Sequence, residues 1–222
     1  MDTERYTRVP RPAEEAKTTY DRLSHYYDLL TRFGEWELTR AGLNKLGVRR
    51  GEKVLEIGFG TGNAILDLAR STGTTGHVDG IDISEGMCEA ARRKVEGHSL
   101  ADRVTLRRGD ARKLPYATRQ FDAVFLSFTL ELFDTPEIPI VLRECRRVLK
   151  PAGRIGVVSL SKDHGLGLIG RFYESLHVRF PSLLDCRPIP VRAVLEEAGF
   201  AVASADFTSL WGLPVAVVLA AP

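Results

Sequence analysis

Three observations predict a doubly wound α/β sheet for this chain of 222 residues. Short apolar segments alternate with amphipathic ones between residues 53 and 160. A cluster of glycines follows the first apolar segment, where a strand would hand over to a helix. The fourth apolar segment, residues 121–127, is rich enough in Phe, Val and Leu to be buried on both faces. Strand–helix alternation of this kind implies parallel strands joined by right-handed crossovers.

The elements follow in order. Residues 1–17 hold Pro10 and Pro12 among charges and show no period, so a loose arm is expected there. From Thr18, the positions Tyr20, Leu23, Tyr27 and Leu30 recur at spacings of three and four, one stripe of a helix that Thr18 or Thr19 caps. A second helix, about residues 35–46, stops before Gly47 and Gly51. Residues 53–57 are a strand, and Ile65, Leu66, Leu68 and Ala69 mark the helix after the glycines. Residues 77–83 form a second strand, and Ser84 caps a helix running to about Gly97. Val104 and Leu106 mark a third strand and residues 121–127 a fourth. Thr135-Pro136 reads as an N-cap with proline at the first helical position, opening a helix to Leu149. Pro151-Ala152-Gly153 then turns into a fifth strand, residues 154–160. Beyond Ser161 the alternation breaks. Gly165, Gly167 and Gly170 precede an amphipathic stretch to about residue 180, a helix near 191–198 stops at Gly199, and strands near 200–207 and 213–220 follow.

Composition bounds the class. With 44% hydrophobic and 27% charged residues, disordered, collagen-like and disulfide-scaffold proteins are excluded. The longest apolar run, residues 215–221, is far short of the roughly 20 residues a bilayer span needs. The first 22 residues are polar and show no secretory leader, so a cytoplasmic location is expected. Cys88, Cys145 and Cys186 lie far apart without C-x-x-C spacing and read as reduced, packed thiols. The formal charge of +2 conceals an asymmetry: residues 51–91 carry a net −5, residues 92–119 a net +6.

The chemistry concentrates at Glu56-Ile57-Gly58-Phe59-Gly60-Thr61-Gly62-Asn63. Glycines let a ligand approach the backbone, and a helix N-terminus presents free N–H groups. The spacing departs from the dinucleotide fingerprint G-x-G-x-x-G, because Asn63 holds the last position. Glu56 is a poor neighbour for a pyrophosphate but suits a ligand with an amino group and no phosphate. Asp82, 24 residues beyond Gly58, stands near where an acid grips ribose hydroxyls in such folds. Asp110, after the third strand, can accept from an adenine amino group. Ser127 ends the fourth strand. All four elements fall at carboxyl ends of parallel strands, where open α/β sheets bind ligands.

This ordered set resembles the class I S-adenosylmethionine-dependent methyltransferases over residues 18–222, and most of all the ubiquinone/menaquinone-biosynthesis C-methyltransferase branch (methyltransferase type 11/25). Tyr20-Asp21 and Tyr27-Asp28 match that branch's N-terminal helix, residues 147–154 its second signature, and Glu174-Ser175-Leu176 with Phe180-Pro181 its substrate-side helix. The resemblance implies a Rossmann-like seven-stranded sheet with the last strand antiparallel and a helical lid. It implies S-adenosylmethionine as cofactor, S-adenosylhomocysteine as product, and no metal. It places Glu56, Gly58, Gly60 and Gly62 at the methionine end, Asp82 on the ribose and Asp110 with Ala111 at the adenine. Thr61, Ile83, Met87 and Ser127 match further cofactor-contacting positions, and Tyr20 and Tyr27 close over the cofactor. The single domain would then comprise an arm (1–17), N-terminal lid helices (18–46), a cofactor-binding core (47–160), a substrate lid (161–192) and a C-terminal segment (193–222). Three departures bear on the acceptor: Leu29-Leu30-Thr31 replaces Met-Asn, Ser159-Leu160-Ser161 replaces Glu-x-Ser, and Ala152 replaces a glycine.

Positioning supplies most of the acceleration of methyl transfer, so a base is a separate question. Glu131, His164 and His177 are the candidates for catalytic groups, with surface or structural roles as the alternative. No [Asn/Asp]-Pro-Pro-[Tyr/Phe] follows the fourth strand, which argues against nucleic acid, and Ser-Phe-Thr-Leu there makes an apolar floor. The expected acceptor is small and lipophilic: a quinone-precursor ring carbon, or alternatively the amine of a phospholipid headgroup. A non-catalytic S-adenosylmethionine-binding scaffold is the alternative from another class. The +6 stretch is a solvated face or a transient docking surface for an anionic membrane, at the inner face of which the protein would be peripheral. The sequence is silent on oligomeric state.

Overall fold

The computed structural model describes residues 34–163 and 187–222. It opens with helix α1 (Glu35–Leu46) and strand β1 (Lys53–Ile57), followed by α2 (Asn63–Thr72), β2 (His77–Asp82), α3 (Glu85–Gly97) and β3 (Val104–Arg108). Strand β4 (Phe121–Ser127) leads through a 3-10 turn (Leu130–Leu132) to α4 (Ile138–Val148) and β5 (Leu149–Leu160). After residue 187 come α5 (Val191–Glu197), β6 (Ala201–Leu210) and β7 (Leu213–Ala221). The strands form one sheet in the order β3-β2-β1-β4-β5-β7-β6, and β7 runs antiparallel to both neighbours. That is the doubly wound, seven-stranded sheet with an antiparallel last strand that the resemblance implies.

Two apolar cores sandwich the sheet. Successive residues of β4 alternate between them: Val124 and Leu126 join the core covered by α4 and α5, Ala123 and Phe125 the one covered by α1, α2 and α3. Each buried Leu, Ile, Val or Phe contributes about 1.5–3 kcal/mol, and none of these four is solvent-exposed at all. The helices join through matching stripes, such as Ile65, Leu66, Leu68 and Ala69 on α2 and Val141, Leu142, Cys145 and Val148 on α4. Helix α1 lies unusually close to the sheet because of Gly42, where a Cβ would stand 2.3 Å from Val158 and 3.1 Å from Phe125. Its C-terminus is held by Arg154 of β5, which donates to the carbonyls of Leu46 (2.6 Å) and Gly47 (2.8 Å) and pairs with Glu52. A guanidinium there satisfies carbonyls that a helix end leaves open.

Three boundaries differ clearly from expectation, one of them the end of β6, which runs to Leu210 rather than residue 207. Helix α4 starts at Ile138, because Glu137 and Ile138 donate to the Asp134 carbonyl and spend Thr135-Pro136 on a turn. The proline tolerated in its first turn is Pro139. Strand β5 begins at Leu149, before Pro151-Ala152-Gly153; the register steps from Phe121 opposite Leu149 to Ala123 opposite Arg154, so the expected turn is an irregularity inside the strand.

The parallel strands β2-β1-β4 place a topological switch point between β1 and β4, with helices leaving on opposite faces. Cys88 and Cys145 are fully buried thiols that burial pushes up to about 12, so neither is a nucleophile near neutrality. Cys186 lies outside the described residues. Among the described residues no helix is long and apolar enough to cross a membrane, and no cluster of His, Cys, Asp and Glu could hold a metal ion.

Candidate active site

The glycine loop between β1 and α2 is closed by backbone bonds from Gly58 N–H to the Ile81 carbonyl (2.8 Å) and from Gly62 N–H to that of Phe59 (2.9 Å). Gly58, Gly60 and Gly62 all have positive φ, which side chains resist. A Cβ on Gly58 would lie 2.4 Å from Thr129, whereas one on Gly60 would meet nothing within 4 Å. The loop is thus packed on the β4 side and open at its tip. Lys94 of α3 reaches back to it, donating to Asn63 Oδ1 (2.6 Å) and Thr61 Oγ1 (3.2 Å).

Asp82, at the end of β2, organises the loop from the other side. One carboxylate oxygen accepts from Gly60 N–H and the other from Ser84 N–H, both at 2.9 Å. Ser84 caps α3 by accepting from Met87 N–H. Ile83 is half-buried beside the acid, and Met87 is buried.

Glu56 is 3% exposed, and its Oε2 has no hydrogen-bond partner among the described residues. Burial, and next the Asp82 charge, push its carboxyl well above the usual range. An unpaired buried carboxylate costs several kcal/mol unless a partner arrives. A cationic ammonium group fits that requirement, and a phosphate would add repulsion.

Asp110, after β3, is more heavily engaged than the sequence suggests. Its carboxylate accepts from Arg112 Nε (3.0 Å to Oδ1, 2.9 Å to Oδ2), from Arg112 Nη2 (2.6 Å to Oδ2) and from the Arg112 backbone N–H. The same guanidinium bridges to Glu137, and its hydrogen bonds hold the Asp110 carboxyl below the usual range against the burial that opposes them. Ala111 is buried next to it. The Ser127 hydroxyl is bonded to Thr39 Oγ1 of α1 at 2.8 Å.

Glu131, in the 3-10 turn after β4, is completely buried. Its Oε1 accepts from Leu160 N–H at the end of β5 (3.1 Å), and its Oε2 has no partner among the described residues. The neighbouring Thr129 packs on Gly58, so this turn adjoins the glycine loop. The structure therefore brings Glu56, the three glycines, Thr61, Asp82, Ile83, Met87, Asp110, Ala111, Ser127 and Glu131 to one end of the sheet. Tyr20, Tyr27, His164 and His177 lie outside the described residues. Sequence reasoning missed Glu35, Thr39, Thr129 and Ser159, which surround Glu131 and Ser127, as well as Arg112 on Asp110. Thr129 and Ser159 stood in motifs noted in the sequence, the floor after β4 and the Ser159-Leu160-Ser161 departure, without a role of their own; Glu35, Thr39 and Arg112 were not singled out.

A Rossmann-like sheet, a glycine loop without the dinucleotide spacing and acids at three strand ends are the arrangement expected of the methyltransferase class of nucleotide-binding domains. Residues 54–153 match the family described as the methyltransferase domain. Among curated relatives, the demethylmenaquinone methyltransferase of Lactobacillus johnsonii is 34% identical over 163 residues, covering 73% of this chain and 64% of that protein. The one from Symbiobacterium thermophilum is 34% identical over 160 residues, covering 69% and 63%. The chain thus spans slightly less than two thirds of the length of these relatives. Solved structures share the fold: a SAM dependent methyltransferase from Aquifex aeolicus (23% identity, 85% of this chain and 98% of that one, TM-score 0.61). Geranyl diphosphate C-methyltransferase from Streptomyces coelicolor, solved with S-adenosyl-L-homocysteine, is another (14% identity, 82% and 75%, TM-score 0.66).

Proposed function

We propose that this protein transfers the methyl group of S-adenosylmethionine to a ring carbon of a small lipophilic acceptor, a quinol of the kind the names of its relatives indicate. One observation carries the cofactor reading: the buried Glu56 carboxylate without a partner, beside an open glycine tip whose nearby lysine is engaged by Thr61 and Asn63. When bound, the cofactor supplies an electrophilic methyl group on a sulfonium.

The chain's own groups hold and orient. Glu56 accepts from the amino group of the methionine end, and the Gly58–Gly62 loop lets that end approach the backbone. Asp82 keeps the loop in shape through Gly60 and offers its remaining lone pairs to the ribose hydroxyls. Ile83 and Met87 wall the adenine, and Asp110 and Ala111 meet its amino edge; the Arg112 clamp holds Asp110 ionised for that task. Ser127, Thr129 and Leu130 floor the acceptor side. Positioning of this kind accounts for most of the acceleration such a transfer needs.

The test is methyl-labelled S-adenosylmethionine incubated with a reduced short-chain demethylmenaquinone, and in parallel with phosphatidylethanolamine vesicles. Label in the quinol and none in the lipid is expected. Label in the lipid alone would replace a ring carbon by a headgroup amine as acceptor. S-adenosylhomocysteine binding without label in either would leave the cofactor site and overturn the acceptor.

A further inference from the structure

The acceptor side of the site holds a pair of acids whose oxygens hydrogen bonding does not fully engage. Glu131 sits in the turn between β4 and α4, and Glu35 opens α1, whose N-terminal end lies at the carboxyl end of β4. Thr39, one turn after Glu35, is bonded to Ser127 at the end of β4, which fixes this end of α1 over the site. Glu35 is half-buried, and no hydrogen bond or ion pair holds it among the described residues. On the β5 side, Leu160 N–H occupies one oxygen of Glu131, and the Ser159 hydroxyl is within reach. The other oxygen is buried and unpartnered.

Among the described residues, no cation is paired with either acid. Of the nearest charged groups on the adjoining segments, Asp163 is taken up by Ser161 and the Arg192 backbone, and Arg187 donates to the Phe133 carbonyl. A carboxylate kept for structure alone would have both oxygens satisfied. We propose that Glu131 is the base that takes the hydroxyl proton of the acceptor, and that Glu35 is a positioning residue that tunes it, so that the acceptor is an acidic ring alcohol rather than an amine. This rests on the proposed methyl transfer and adds the proton's path. The O–H bond of the acceptor breaks, the proton forms a bond to Glu131 Oε2, and the electron pair left behind makes a ring carbon nucleophilic. Once that carbon has bonded to the methyl group and the sulfonium S–C bond has broken to leave neutral sulfur, the carbon's own C–H proton passes to the ring oxygen and restores the aromatic alcohol. The reaction releases one proton per turnover, which the pair passes on to solvent.

The electrostatics agree with the geometry. Burial pushes both carboxyls up to about 7, and the Glu35 charge adds to the rise at Glu131. A base poised near neutrality is the kind that works best at cellular pH.

Three measurements test the pair. Carbon-13 NMR titration of the apo protein should show coupled Glu131 and Glu35 transitions near pH 7, and Glu35→Gln should lower that of Glu131. Glu131→Gln, which keeps an acceptor for Leu160 N–H, should lower kcat with the quinol about 100-fold or more while S-adenosylhomocysteine affinity stays within twofold. Glu35→Gln should retain most of kcat at high pH and shift the rising limb of its pH profile to lower pH. An ordinary Glu131 titration near pH 4, untouched by Glu35→Gln, overturns the proposal whether or not an acceptor is found. So does a Glu131→Gln enzyme of unchanged kcat and pH profile. Failure of S-adenosylhomocysteine binding in the wild type would instead strike the cofactor reading.

Discussion

The two charged regions of this chain use their charges in opposite ways. Around the carboxyl ends of β1 and β4, two acids are kept from cations: Glu56 and Glu131 are buried, and each has one oxygen without a partner among the described residues. The basic edge, from α3 through β3 to the loop before β4, does the reverse. Arg92 and Arg108 both pair with Glu85, Arg93 with Glu89, Arg103 with Asp102, and Arg112 with Asp110 and Glu137. Arg107 lies over the Tyr116 ring at 5.9 Å. Net charge alone would rate the two regions as equally interesting. A buried carboxylate without a partner, not sign or density of charge, separates a site from a solvated face.

The sharpest way to break this comparison is to remove Asp82. Its two oxygens hold Gly60 and Ser84 N–H groups, so alanine both unpins the glycine loop and deletes the acceptor proposed for ribose hydroxyls. Losing two or three charge-assisted hydrogen bonds should weaken S-adenosylhomocysteine binding at least 100-fold, about 3 kcal/mol, by titration calorimetry. Binding equal to the wild type would show that the acidic half is not the cofactor's.

Glu56→Gln should produce a smaller loss of affinity, on the order of tenfold, with a gain the basic edge cannot imitate. A buried acid whose pKa is raised binds more protons in the folded than in the unfolded chain, so stability falls as pH rises from its unfolded pKa through its folded one. Glu56 and Glu131 both act in this sense. For Glu131, the rise from 4.5 to about 7 amounts to roughly 3 kcal/mol lost across that window, at about 1.4 kcal/mol per unit. The apo protein should therefore melt highest near pH 5 and lower at pH 7.5. Glu56→Gln should flatten part of that slope and raise Tm at pH 7.5. Cofactor affinity in the wild type should run the other way and improve as pH rises and Glu56 ionises. A melting temperature that climbs from pH 5 to 7.5 would refute the burial argument.

How much of this was legible in the sequence follows from how local each determinant is. Strands β1 and β4 and helix α1 match the expected bounds to the residue, since an apolar run or stripe flanked by charges and glycines needs no tertiary information. The glycine loop and Asp82 were legible for the same reason: spacing along the chain fixes which strand ends they occupy. The start of α4 was not, because a Thr-Pro pair caps a helix only if no earlier carbonyl claims the next N–H groups, and the Asp134 carbonyl does. Glu35 was invisible as a site residue. An acid in a first helical turn reads as a complement to the helix dipole, and only the approach that Gly42 permits sets it over the end of β4. The Arg112 grip on Asp110 is likewise a matter of side-chain reach, and its second partner, Glu137, lies 25 positions away.

The smallest expected effect concerns the basic edge itself. If its arginines are a solvated face, replacing Arg92, Arg93, Arg107 and Arg108 together by glutamine should leave S-adenosylhomocysteine binding and quinol methylation unchanged. The exposed pairs these residues form are worth at most several tenths of a kcal/mol each, so Tm should move by a few degrees or less. Co-sedimentation with phosphatidylglycerol vesicles at low salt should not distinguish the variant from the wild type. A wild-type protein that sediments at low salt, releases at high salt and loses binding with the four substitutions would make this edge a membrane surface. Surface attraction is worth about 1 kcal/mol per basic group close to an anionic leaflet, so four groups would give an unmistakable signal. That comparison is decisive because ion pairing within the edge already spends the charges a membrane would need. Arg92 and Arg108 share Glu85, and Arg93 faces Glu89; for docking to win, the leaflet would have to outbid these neighbours on the same guanidinium groups.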